Sequence, residues 1–173
     1  MFLATLRQKL CSTRVLAASA AVFVLSQVTI AVILRDVGSA RVLRAQTTFS
    51  ATTLRTIIEQ WQREGVLSHY YAHFVPDFLH PVWYALLLGA LLARGLDSRG
   101  LPDRWNTVLL LPFVAGALDL VENLLHLVFL CDLDRVSQPL VAVSALAANL
   151  KWALVAASIA GTLWLRPWRS ERA

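Results

Sequence analysis

Residues 107–130 read TVLLLPFVAGALDLVENLLHLVFL and combine the length of a membrane span with a narrow polar stripe. At about 1.5 Å per residue, a helix of this length is about 36 Å long and covers the hydrocarbon core of a bilayer. Asp119, Glu122, Asn123 and His126 are spaced 0, 3, 4 and 7 along it, so they share one helical face. Because charged side chains are costly at bilayer depth, we expect this face to be turned toward protein.

The rest of the chain has the composition of a membrane protein. Of its 173 residues, 57% are hydrophobic and only 16% are charged, against about a quarter charged in soluble domains. The mean hydropathy is +0.59. Three further apolar blocks cover residues 15–34, 74–93 and 140–165. The sequence thus predicts one all-α domain over residues 1–173, an up-down bundle of four membrane-spanning helices whose short links make neighbours antiparallel.

The loop between the first two spans contains one patterned segment, residues 50–64. Leu54, Ile57, Ile58 and Trp61 recur at helical spacing within it. Ser50 or Thr52 is a suitable N-cap, and a glycine at position 65 is a suitable stop. We therefore expect an amphipathic helix that lies on the outer membrane surface or covers the bundle.

The basic residues predict the orientation. Arg7, Lys9, Arg14, Arg94, Arg99, Arg104, Arg166, Arg169 and Arg172 form the larger group and fall on one side of the spans. By the positive-inside rule this side is cytoplasmic, which places both termini inside a cytoplasmic (inner) membrane. Topology and anionic headgroups account for the net charge of +5, so no nucleic-acid partner is implied. Membrane lipids are the expected surroundings.

Spans two and four carry polar residues that match the stripe on span three. Asp119 and Lys151 each lie eleven residues from the outer end of their spans, about 16 Å deep, and we expect them to form an ion pair. Asp77 and His80 fall nearer the outer side, level with His126 and Glu122 respectively. The sequence therefore predicts a polar pocket between spans two, three and four that opens outward.

The surplus of carboxylates in this set is typical of acid–base chemistry. We expect Glu122 or Asp77 to act as a general acid and His80 or His126 as a base. Asn123 and the aromatic residues Trp83, Tyr84 and Trp152 are the expected substrate-binding groups. The competing interpretation is that the Asp119–Lys151 pair only fixes helix register.

A metal site is a minority alternative. His69 and His73, and likewise Glu122 and His126, stand four residues apart, the spacing that lets two side chains reach one ion. None of these pairs belongs to an HExxH motif, and the sequence requires no cofactor. We favour a metal-free site whose cofactor, if any, is unknown.

Two functions fit this pattern. The first is binding of a lipophilic small molecule, lipid- or isoprenoid-like, with or without its acid–base transformation. The second is a non-enzymatic accessory or assembly subunit of a membrane complex, with a structural Asp–Lys pair and a membrane-protein partner or a second copy of the chain. Neither depends on nucleotide-binding, protease or redox-thiol motifs, which the sequence lacks.

Overall fold

The computed structural model describes residues 2–166, and these residues form helices and turns without a β-strand. The predicted all-helical class is therefore confirmed. The α-helices in chain order are α1 (Phe2–Leu10), α2 (Thr13–Ile33), α3 (Ser39–Thr47), α4 (Ala51–Arg63), α5 (Leu67–Ala72), α6 (Phe74–Asp77), α7 (His80–Ser98), α8 (Leu110–Cys131) and α9 (Gln138–Leu165). Short 3₁₀ helices cover Asp103–Leu109 and Leu133–Arg135. Arg169 and Arg172, two residues behind the predicted orientation, lie outside the described part.

Within this part, three helical segments are long and apolar enough to cross a membrane: Thr13–Ile33, Asp103–Cys131 and Gln138–Leu165. A fourth candidate is the pair Leu67–Asp77 and His80–Ser98, which is bent by 48° at a short break. These segments coincide with the four apolar blocks of the sequence. Helices α1 and α3 were not predicted, because each is only nine residues long and neither has a continuous apolar pattern.

The break in the second candidate span lies between two prolines. Pro76 is inside α6 and Pro81 is in the first turn of α7. Backbone N–H groups in the first turn of a helix have no partner within the helix, so the N–H that Pro81 lacks costs α7 no hydrogen bond. Helix α8 approaches this break closely at Gly116, where an added Cβ would meet the carbonyl oxygen of Pro81 at 3.3 Å. The small residue therefore lets α8 contact the backbone of the broken span.

Helix α7 is central to the packing. It contacts α2 on one side and α8 and α9 on the other, while α9 packs mainly on α8. Among the described residues, no extended contact joins α2 to α9, so these two helices stand apart with α7 behind them. We call the end of the bundle where α3 and α4 lie the outer end and the end where α1 lies the inner end, after the orientation predicted from the sequence.

Helix α4 closes the outer end. Its N-cap Ser50 accepts a hydrogen bond from the Thr53 backbone N–H at 3.2 Å, and Gly65 just after it has a φ of +73°, a conformation that suits glycine. On the face predicted to be apolar, Leu54, Ile58 and Trp61 are at most 2% exposed and Ile57 is 8% exposed. This face is therefore buried within the protein, in a core shared with Phe129 and Tyr70 among others.

Helix α1 is held at the inner end by a buried arginine. The Arg7 guanidinium donates hydrogen bonds to Asp97 Oδ1 at 2.6 Å, the Leu101 carbonyl oxygen at 2.9 Å and Asn106 Oδ1 at 3.1 Å. Cys11, just after α1, donates its thiol hydrogen to Asp97 Oδ2 at 2.9 Å. Burial and this contact with the Asp97 carboxylate raise the pKa of the Cys11 thiol to about 11.

We expect Cys11 to react slowly with maleimide at pH 8, because a pKa of about 11 leaves about one thiol in a thousand ionised. The measurement is the labelling rate against pH in a Cys131→Ser background. Asp97→Asn should shift the midpoint of this profile to lower pH, since it removes the carboxylate that disfavours the thiolate. A midpoint that stays in place while labelling accelerates at every pH would show that Asp97 only shields Cys11.

Candidate functional site

A cleft of about 1210 Å³ lies between α2 and α9, where the two helices stand apart. Helix α7 forms its back wall and α3 forms its roof at the outer end. Its volume exceeds the several hundred cubic ångströms of ordinary small-molecule pockets. The cleft is therefore large enough for an extended, chain-like molecule.

The ionisable side chains of this cleft are confined to its outer half. Toward the inner end its walls are apolar, with Phe23, Leu87, Leu88, Val155 and Ile159. The outer half carries His73, Asp77, His80, Tyr84, Asp119 and Lys151, with apolar residues such as Leu34, at the end of α2, and Val42 of α3 on the facing wall. Because these residues follow one another along each helix, the polarity changes within about two helical turns. The cleft thus matches a molecule with one polar and one apolar end.

Lys151 joins two carboxylates at the base of the polar half. Its Nζ lies 2.5 Å from Asp119 Oδ1 and 2.6 Å from Glu122 Oε2. The Tyr84 hydroxyl donates to Asp119 Oδ2 at 3.2 Å. Asp119, Glu122 and Lys151 are at most 6% exposed. One ammonium thus links two acidic residues of α8 to α9, and α7 joins the cluster through Tyr84.

A second polar group, His73, Asp77 and Asn123, lies at the break of the second candidate span. Asn123 Nδ2 donates to Asp77 Oδ2 at 2.9 Å. His73 Nε2 lies 3.9 Å from the same oxygen, and His73 Nδ1 donates to the Tyr70 carbonyl oxygen. This bond fixes the orientation of the His73 ring. From the sequence, His73 was considered as a possible metal ligand, and its spacing of four residues from Asp77 also indicated a shared helical face.

His80 connects α7 to α2. Its Nδ1 lies 2.8 Å from Ser26 Oγ, and its ring stacks on Phe23 with 5.2 Å between centroids. No sequence pattern indicates this pairing, because Ser26 is one of several uncharged polar residues scattered through the first apolar block. The wall that α2 contributes is a feature of the tertiary structure alone.

The structure divides the predicted site residues into two sets. Asp77, His80, Tyr84, Asp119, Lys151 and Trp152 line the cleft. Glu122, Asn123 and His126 are at most 2% exposed and lie behind the residues that line the cleft. Trp83 is also not among the lining residues.

The sequence predicted an outward-opening pocket between spans two, three and four. The cleft is lined by α7 and α9 and by Asp119 of α8, and it has further walls from α2 and α3 that were not predicted. Glu122 and His126 are one and two turns further along α8 than Asp119, on the face that packs against neighbouring helices. Tyr70, for example, forms a 2.9 Å hydrogen bond with His126 Nδ1. Neither Glu122 nor His126 is in a position to touch a molecule in the cleft.

The histidines do not gather into a metal centre. Among residues 2–166, no three His, Cys, Asp or Glu side chains are arranged to hold a metal ion. His69 is half-exposed, with Nδ1 3.7 Å from Asp36 Oδ2, whereas His73 is 2% exposed. His126 is bonded to Tyr70 instead. His73 and His126 thus both contact Tyr70, whereas His69 lies apart from them beside Asp36.

Comparison with known proteins supplies no relative: no protein-family model matches this chain, and neither a curated protein nor a solved structure matches it. The proposed function therefore depends on the geometry of the cleft.

We expect Lys151→Met to destabilise the protein more than Asp119→Asn does. The first substitution leaves two buried carboxylates without a cation, at a cost of about 3–5 kcal/mol. After the second, Lys151 keeps Glu122 as a partner. The measurement is thermal unfolding in mild detergent, with the exposed Lys9→Met as the matched control. Equal midpoints for Lys151→Met and Lys9→Met would show that the ion pair contributes nothing to stability.

Proposed function

We propose that the protein is an integral membrane protein with four spans arranged up and down, the bent pair counting as one span. The exposed surface of α2 supports this proposal. Val24, Leu25, Val28 and Val32 are each more than half exposed, and a helix so apolar on its open side requires lipid as its solvent. With both termini cytoplasmic, α3 and α4 lie at the outer surface of an inner membrane.

In this membrane, the protein binds a lipophilic small molecule with a polar end, lipid- or isoprenoid-like, in the cleft between α2 and α9. The confinement of the ionisable side chains to the outer half of the cleft is the observation that carries this proposal. The polar half begins at the outer end and extends down to Asp119 and Lys151, and the apolar half continues from there toward the inner end. A bound amphiphile would therefore have its head group on the outer side and its tail directed inward. The gap between α2 and α9 gives such a molecule a lateral entrance from the bilayer.

Acid–base chemistry on the bound molecule is the further step of this proposal. Asp77, His73 and His80 are the groups that line the polar half and can exchange a proton. Glu122 influences the cleft only by its ion pair with Lys151, and His126 only by its hydrogen bond with Tyr70. In this assignment, Asp77 and His80 keep the catalytic roles expected from the sequence, and Glu122 and His126 become positioning residues.

Filling the cleft tests the binding function. Ala31 of α2 lines the cleft and is exposed, so Ala31→Trp should obstruct it without disturbing a packed core. Native mass spectrometry of the gently solubilised wild type should show a bound amphiphile that Ala31→Trp loses. Ala18→Trp places the same side chain on an exposed position of α2 outside the cleft, and it should retain the molecule.

Two outcomes would contradict this function. One is wild-type protein without any bound amphiphile after solubilisation in several mild detergents. The other is equal retention by Ala31→Trp and wild type, which would place the bound lipid on the outer surface of the bundle instead.

The second candidate is an accessory or assembly subunit. The observation that favours it is the Lys151 cluster, which connects α7, α8 and α9 in the way a purely structural group would. This candidate predicts that Asp77→Asn, which leaves the Lys151 cluster intact, restores the phenotype of a deletion strain as well as wild type does. The binding function predicts that Asp77→Asn fails to restore it, although the variant is present at the same level as wild type.

A further inference from the structure

Around His73, Asp77 and His80, the cleft wall presents hydrogen-bond acceptors in excess of donors, and this local imbalance indicates which head group it takes. The inference rests on the proposed binding function and concerns the chemistry of the ligand's polar end. Three side chains carry it: His73, Asp77 and His80, all on the cleft wall.

His73 contributes an acceptor because its tautomer is fixed by the backbone. The Tyr70 carbonyl oxygen can only accept, so the hydrogen of the neutral His73 ring is on Nδ1. Nε2 therefore carries a lone pair and lies 3.9 Å from Asp77 Oδ2. This distance is too long for a hydrogen bond. Two acceptors thus stand side by side on the wall without a hydrogen between them.

His80 contributes an acceptor for a similar reason. Ser26 donates its single hydroxyl hydrogen to the Phe23 carbonyl oxygen at 3.0 Å. Ser26 Oγ also lies 2.8 Å from His80 Nδ1, and both contacts are hydrogen bonds together only when the ring hydrogen is on Nδ1. The Nε2 atom of His80 is the remaining acceptor.

The Lys151 ammonium and the Tyr84 hydroxyl are already engaged. Lys151 lies between Asp119 and Glu122, and the Tyr84 hydroxyl donates to Asp119. Arg35 is at the mouth of the cleft, where its side chain is 78% exposed and its Nε lies 3.3 Å from Asp36 Oδ1. An anionic head group placed between His73, Asp77 and His80 would therefore meet the Asp77 carboxylate, while the buried ammonium of Lys151 is shared by two other carboxylates.

We propose that the cleft binds an amphiphile whose apolar chain ends in a protonated amine. An ammonium nitrogen about 2.8 Å from each acceptor can bridge His73 Nε2 and Asp77 Oδ2, and a third N–H remains for a further acceptor such as His80. Its charge also offsets that of Asp77, which within residues 2–166 has no cationic partner other than a protonated histidine. The apolar chain then extends toward Leu88 and Ile159 at the inner end.

The test compares four probes with the same twelve-carbon chain: dodecylamine, dodecanol, lauric acid and dodecyltrimethylammonium. The protein is reconstituted in phosphatidylcholine nanodiscs, and binding is followed by the emission of Trp152, which lines the cleft. A Trp152→Phe variant supplies the background signal. Dodecylamine should bind at least about tenfold more tightly than each other probe, because it alone has both positive charge and N–H donors.

Two charge variants separate this site from general attraction of cations. Asp77→Asn should weaken dodecylamine binding about tenfold or more, since it removes a charged acceptor. Asp134→Asn removes one negative charge from a side chain that is 98% exposed and outside the cleft, so its affinity should equal that of wild type. If Asp77→Asn does not fold, the order of affinities of the four probes for the wild-type protein tests the amine assignment by itself.

Several results would overturn the amine assignment. Lauric acid or dodecanol binding as tightly as dodecylamine would remove the requirement for charge, and equal binding of dodecyltrimethylammonium would remove the requirement for N–H donors. In either case the proposed binding function stands with another head group. If no probe binds although wild type retains an amphiphile that Ala31→Trp loses, only the amine assignment fails. If no probe binds and the Ala31→Trp result is also negative, both fail.

Discussion

The placement of one ammonium between two buried carboxylates is the constraint on which the rest of this structure depends. Lys151 Nζ contacts Asp119 and Glu122 at 2.5 and 2.6 Å. Leaving one member of a buried ion pair without its partner costs about 3–5 kcal/mol, so the three groups are costly to separate. They link α8 to α9, and the Tyr84 hydroxyl joins α7 to them.

The broken second span depends on this framework and gives the cleft its chemistry. Between Pro76 and Pro81 the chain bends by 48°, and the close approach of α8 at Gly116 accommodates the bend. His73 and Asp77 precede the break and His80 follows it. Breaks of this kind are tolerated at membrane depth where they are buried in protein or line a cavity. The polar half of the cleft is thus built around a local departure from regular helix.

The helices and the ionisable residues could be predicted from the sequence because both have strong local signals. Apolar blocks of about twenty residues specify spans, and the 0, 3, 4, 7 spacing of Asp119, Glu122, Asn123 and His126 specifies one face. Asp119 and Lys151 lie the same number of residues from the outer ends of their predicted spans, and this equal depth was enough to predict that they pair. The nine-residue helices α1 and α3 carry too few residues to show a clear period, and they were missed for that reason.

The sequence by itself determined the helical class, the candidate spans and the presence of a polar interior, because these properties depend on composition and on spacing within single helices. Only the tertiary structure decided which polar residues face the cleft. Asp119 and Glu122 share one face of α8, yet Asp119 lines the cavity and Glu122 lies behind it, since their environments depend on where α7 and α9 pack. The wall supplied by α2, with Ser26 holding His80, is likewise a contact between segments 54 residues apart, which no local pattern encodes.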